Sequence, residues 1–130
     1  MHMATMDKAV EVSAPSSLRI VERAISEPGP GQVRIRVEAC GICHTDATTV
    51  TGIYPGLNLP RVPGHEVVGR IDAVGGGVSR WTIGQRVGVG FFGGEDGVCE
   101  PCRRGDYGEL SAPRDTGSHR GWRICGSDDR

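Results

Sequence analysis

At 130 residues the chain has room for one domain with a single apolar core and too little for two. Fifteen lysines and arginines against 16 aspartates and glutamates leave a net charge of −1, which excludes a field that would gather nucleic acid or an anionic membrane surface. Twenty-one glycines and only 5% aromatic residues favour a turn-rich, mainly β fold over a helical bundle.

In chain order, residues 1–7 show no pattern and are expected to form a loose tail. They lack the basic and apolar regions of a secretion signal, and no long apolar run follows, which predicts a cytoplasmic protein with no membrane partner. Leu18, Ile20 and Val21 suggest a strand after the turn Pro15-Ser16-Ser17, and Glu27-Pro28-Gly29-Pro30-Gly31 is a turn whose prolines cannot donate to a ladder. From Gln32 to Cys40, Val33, Ile35, Val37 and Ala39 alternate with Arg34, Arg36 and Glu38, the period of a half-buried strand. Asp46–Val50 is expected to begin a short helix before Gly52. Val67, Val68, Ile71, Ala73 and Val74 predict a strand that ends at Gly75-Gly76-Gly77, and Arg86–Gly90 predicts another after a turn at Gly84. These pieces suit a small, partly open antiparallel barrel with short helices. The glycines at 75–77 and 88–94 lack the GxGxxG spacing that opens a helix in a βαβ unit, so they read as bends and not as phosphate cradles.

Five cysteines, four of them in two CxxC pairs, are odd in number, and one pair borders a histidine. This fits reduced, metal-binding thiols better than a secreted disulfide framework. The segments Cys40-Gly41-Ile42-Cys43-His44-Thr45-Asp46 and Pro63-Gly64-His65-Glu66 together offer a thiolate, an imidazole and carboxylates. Catalytic zinc takes three protein ligands of mixed type and keeps one position open, whereas structural zinc is closed by four.

The strings CGICHTD and VPGHEVVGRIDAVG, followed by GQRVGVG and CEPCRRGDY, resemble the N-terminal half of zinc-dependent alcohol dehydrogenases of the medium-chain superfamily, over residues 8–107. The resemblance implies a GroES-like fold for that stretch, with a nicotinamide-binding Rossmann domain that these 130 residues do not include. It implies Cys43 as the thiolate ligand, His65 as the imidazole ligand, and Glu66 beside the metal, either coordinating it or acting from behind the ligands. Cys40 is then a packing residue. Asp46 resembles the carboxylate that orients a liganding imidazole, and it could equally cap the short helix. Without the resemblance, Cys43 reads as a buried thiol, His65 as a turn histidine and Glu66 as a strand-edge glutamate.

The implied reaction converts an alcohol to an aldehyde or ketone, zinc lowering the pKa of the alcohol and hydride passing to NAD or NADP. Thr45 would take the proton and hand it toward the cofactor ribose, with His44 as a further relay or a cofactor-phosphate contact. A helix-start hydroxyl accounts for Thr45 as well. A last cysteine ligand would come from a segment outside these residues, and the surroundings of Cys125 match nothing in the family. The substrate would be a small-molecule alcohol or aldehyde and the parent enzyme a homo-oligomer, with the 130 residues inactive alone.

Relatives close a second, structural zinc site with four cysteines. Here Asp96 stands at the first place, Cys99 and Cys102 at the next two and Leu110 at the last, so the site reads as degraded: aspartate can ligate and leucine cannot. Residues 108–130 have neither strand alternation nor helical period and are expected to be irregular. With permitted codons, a one-base shift near Tyr107 and Gly108 turns them into VNCQRPEIPGVTADGGYAEVMI, which looks like the family's continuation with a cysteine in place of Leu110. An out-of-frame tail is therefore expected. Two other functions stay open: a zinc-ribbon module in which Cys40, Cys43, Cys99 and Cys102 form one four-thiolate site, and a metal-free GroES-like interaction module.

Overall fold

The apolar alternation of the middle of the chain builds its core. Val33 and Ile35 on β3 (Val33–Cys40), Val67 and Ile71 on β4 (Val67–Val74) and Val87 and Val89 on β5 (Arg86–Val89) bury their side chains in one cluster, with Val78 and Trp81 packed against it. The three strands form an antiparallel sheet in the order β3-β4-β5, with Val33 opposite Val74 and Val67 opposite Val89. A computed structural model describes residues 5–53, 56–94, 100–104 and 114–115 of the chain. Val37 continues the alternation in sequence yet is half exposed, because the register of β3 against β4 shifts between Val37 and Ala39 and turns the strand end away from the core.

A second sheet is the hairpin of β1 (Met6–Ala14) and β2 (Ser17–Ala24), turned at Pro15 and Ser16, where Ser16 adopts φ 59°. The strand β1 was not expected from sequence and begins inside the segment 1–7 predicted as tail: Met6 pairs with Ala24 and Asp7 with Arg23. Asp7, Lys8 and Glu11 obscure its period. What compensates is an ion-pair cluster, in which the buried Glu11 accepts Arg19 Nη2 at 2.8 Å and is also met by Arg23. The hairpin is tied to the rest by a reciprocal pair, Val12 N–H to Arg61 O at 2.7 Å and Arg61 N–H to Val12 O at 3.0 Å.

The expected short helix forms as α1 (His44–Thr51), and its Val50 carbonyl accepts Ser16 N–H at the hairpin turn, 2.7 Å away. Beyond the core, β6 (Phe92–Gly94) pairs with β7 (Arg114–Asp115), and α2 (Glu100–Arg104) is one short turn. The pair at β7 places regular backbone within residues 108–130, which were expected to be irregular throughout. Among the described residues the sheets are all open and no barrel closes, in keeping with a mainly β, partly open architecture.

Candidate metal centre

Where β3 ends, the chain turns out of the sheet, and Gly41 N–H donates to Glu66 O at 2.9 Å, which brings the two chemically rich segments side by side. Cys43 then caps α1. Its backbone is extended (φ −123°, ψ 177°), its Sγ accepts Thr45 N–H at 3.3 Å, and Asp46 Oδ2 accepts Cys43 N–H at 3.0 Å. This is the reciprocal cap that serine and glutamate usually make, built here from cysteine and aspartate. At the far end Gly52 adopts φ 76°, and its N–H and that of Ile53 reach the carbonyls of Thr49 and Thr48.

The second segment enters through Gly64, whose φ of 123° is foreign to L-residues and where a Cβ would stand 2.9 Å from Cys40 Sγ. That turn delivers His65 onto the start of α1. Its Nε2 lies 2.9 Å from Cys43 Sγ and its Nδ1 3.5 Å from Asp46 Oδ1, while its ring meets Phe91 edge-on with centroids 5.3 Å apart. The histidine and aspartate side chains are 13% and 10% exposed, so the pair is largely sheltered from water.

One donor atom each from Cys43, Asp46 and His65 lies within 4.8 Å of the other two, the group of this kind found among the described residues. Bonds of about 2.3 Å to sulfur and about 2.1 Å to nitrogen can join donors separated by up to about 4.4 Å through one zinc ion. The 2.9 Å between Sγ and Nε2 falls inside that reach, and a sulfur paired with an imidazole nitrogen suits zinc. The residues present therefore fit the metal. Asp46 approaches the imidazole on the nitrogen opposite the one that faces sulfur, and its other oxygen is engaged by the Cys43 amide.

The remaining residues singled out by sequence fall into place less uniformly. The exposed Glu66 turns its carboxylate over Gly41 and is not in the group of three. Thr45 is half buried beside Cys43 Sγ, and its carbonyl accepts the hydroxyls of Thr48 and Thr49 at 2.8 and 3.0 Å. His44 is exposed. Cys40, also exposed, lies against the Gly64 turn. Asp96, Cys99 and Leu110 are outside the described residues, as are the side chain of Cys102 and the tail proposed to be out of frame. The edge contact of Phe91 on His65 was missed by sequence reasoning, and its only signal there was an aromatic residue following β5 in a chain with few of them.

Residues 29–127 match the alcohol dehydrogenase GroES-like domain family. The chain belongs to that family. Alcohol dehydrogenase patD of Aspergillus clavatus is 44% identical over 101 residues, which make up 78% of this chain and 26% of that protein. Among solved structures, rspB from Escherichia coli complexed with NADH superposes with a TM-score of 0.76 at 36% identity, over 92% of this chain and 35% of that one. CAD from Helicobacter pylori complexed with NADP(H) gives a TM-score of 0.76 at 29% identity, over 88% and 33%. The motif resemblance to medium-chain alcohol dehydrogenases is thus borne out, and the family match runs past Tyr107, where the motifs stop. This GroES-like domain spans about a quarter to a third of the length of these relatives.

Proposed function

We propose that the chain is the metal-holding domain of a zinc-dependent alcohol dehydrogenase that interconverts small alcohols with aldehydes or ketones, using NAD or NADP as hydride acceptor. The observation that carries this reading is the 2.9 Å approach of Cys43 Sγ to His65 Nε2 with Asp46 on the far side of the ring. Cys43 and His65 hold the metal, and Glu66 stands beside it. Bound zinc supplies Lewis acidity that lowers the pKa of an alcohol hydroxyl.

The chain's own residues do the rest. Asp46 draws the ring proton to Nδ1, which leaves the Nε2 lone pair free on the side of Cys43. The hydroxyl of Thr45, a residue whose amide lies on the sulfur, accepts the substrate proton and passes it outward toward the cofactor ribose, with the exposed His44 as relay or as a contact to the cofactor phosphate. The Phe91 ring, set crosswise to His65, helps to exclude water from it. Support for a dinucleotide comes from the NADH and NADP(H) in the rspB and CAD structures. Because those chains are about three times as long, the 130 residues are expected to bind zinc without turning over alcohol. Asp96, Cys99 and Cys102 are proposed as the remnant of a second metal site, and a homo-oligomeric parent remains part of the proposal. No helix among the described residues is long and apolar enough to cross a membrane, and the free thiols of Cys40 and Cys43, the two cysteine side chains described, suit the reducing cytoplasm that we assign to the protein.

Metal analysis of the purified chain and its Cys43→Ala and Cys40→Ala variants tests the reading. Zinc is expected to stay with the parent chain and with Cys40→Ala, and to be lost from Cys43→Ala. Loss from both variants would instead match the four-thiolate ribbon and overturn the proposal.

A further inference from the structure

We propose that Gly41 is a positioning residue for Glu66: carrying no side chain, it lets the carboxylate lie back over the backbone of residue 41 and out of the group formed by Cys43, Asp46 and His65. The inference deepens the metal reading above and rests on it.

Three observations converge. The Gly41 amide donates to the Glu66 carbonyl at 2.9 Å, which holds the two backbones side by side. A methyl group on residue 41 would overlap Glu66 Oε2, and would also stand 3.1 Å from Glu66 Cβ and 3.2 Å from Cδ. The hard overlap falls on the carboxylate, the free end of a flexible side chain, so the carboxylate swings off residue 41 while Cβ and Cδ give by a few tenths of an ångström. Gly41 is also not among the glycines with positive φ, so its backbone is one that alanine can adopt. Space for Glu66 is what the glycine supplies.

Glu66 follows His65 directly, and a cation beside Cys43 and His65 attracts a carboxylate that is no longer held over residue 41. Laid back over Gly41, the carboxylate leaves a coordination position open to a small molecule, as a catalytic site requires. Displaced, it competes for that position. Gly41 thus sets how readily the site admits an outside ligand.

The test uses the full 130-residue chain titrated with Co²⁺, read by thiolate-to-metal absorption, and then the loaded chain titrated with imidazole as an outside ligand. Gly41→Ala is expected to tighten Co²⁺ on the order of tenfold, the scale on which neighbouring groups tune a metal site, and to weaken imidazole binding by a similar factor. Gly41→Ala combined with Glu66→Ala is expected to return both affinities to those of Glu66→Ala alone. Wild-type behaviour from Gly41→Ala would overturn the inference, and so would an effect that survives in the Glu66→Ala background, as a chain that had lost its fold would show. If the parent chain gives no absorption that disappears in Cys43→Ala, the metal reading fails and takes this inference with it.

Discussion

Glu11 shows how a single buried charge is accommodated in the hairpin. It is 4% exposed, and the hydrogen bond from Arg19 holds its carboxyl below the usual carboxylate range, against an opposing push from burial and with further help from Arg23. A depressed folded-state value means that its stabilisation is complete above the unfolded-state value and fades as pH falls through the lower, folded-state one. Glu11→Gln is expected to lower the urea midpoint at pH 7, with the gap to the parent chain closing as pH drops below the ordinary carboxylate range. A gap that holds constant into acid would mean that the charge contributes nothing. Asp46 divides its oxygens between the Cys43 amide and His65. Asp46→Ala is therefore expected to cost about 1 kcal/mol from the lost cap, read by urea denaturation, and about 10- to 100-fold in zinc affinity. Cys43, Asp46 and His65 were legible in the sequence because each sits in a short motif whose order is distinctive. The berth of Glu66 over Gly41 was not, since the contact joins residues far apart in the chain and exists only once β3 and β4 have paired.

At the scale of elements, α1 depends on how it ends as much as on how it begins. An alanine at Gly52 would have to adopt a left-handed conformation costing about 1–2 kcal/mol, and its Cβ would stand 2.9 Å from Pro15 Cγ at the hairpin turn. Gly52→Ala is expected to destabilise the chain by at least about that much in chemical denaturation, and a neutral result would show that α1 can shift off the hairpin. In the three-stranded sheet, Ile71 is 1% exposed at the centre of the core, and Ile71→Ala is expected to cost about 2–5 kcal/mol by the same measurement. The strands β3, β4 and β5 were readable because one face is buried and the other wet, which writes an alternation into the sequence. The strand β1 was not: its pairing with β2 is supported by charges that side-chain periodicity cannot register, and Val12 is its one fully buried apolar residue.

For the molecule as a whole, the hairpin and the three-stranded sheet differ in how they are protected. The sheet holds all six residues of the core cluster, whereas Met6, Val10, Leu18 and Ile20 of the hairpin are at least half exposed. Amides of β4 are expected to exchange with solvent more slowly than those of β2 in a hydrogen-exchange experiment, and equal rates would mean that the two sheets open as one unit. Family membership was legible from four short strings, while the openness of the sheets depended on strand pairing that no string encodes.

The sulfur of Cys43 faces the imidazole and also receives the amide of Thr45. Any partner that claims its electron density, whether an ion or an alkylating reagent, thereby loosens or tightens the opening turn of a helix braced on the hairpin. Occupancy is written into the backbone, and a single amide signal, that of Thr45, would serve as its gauge.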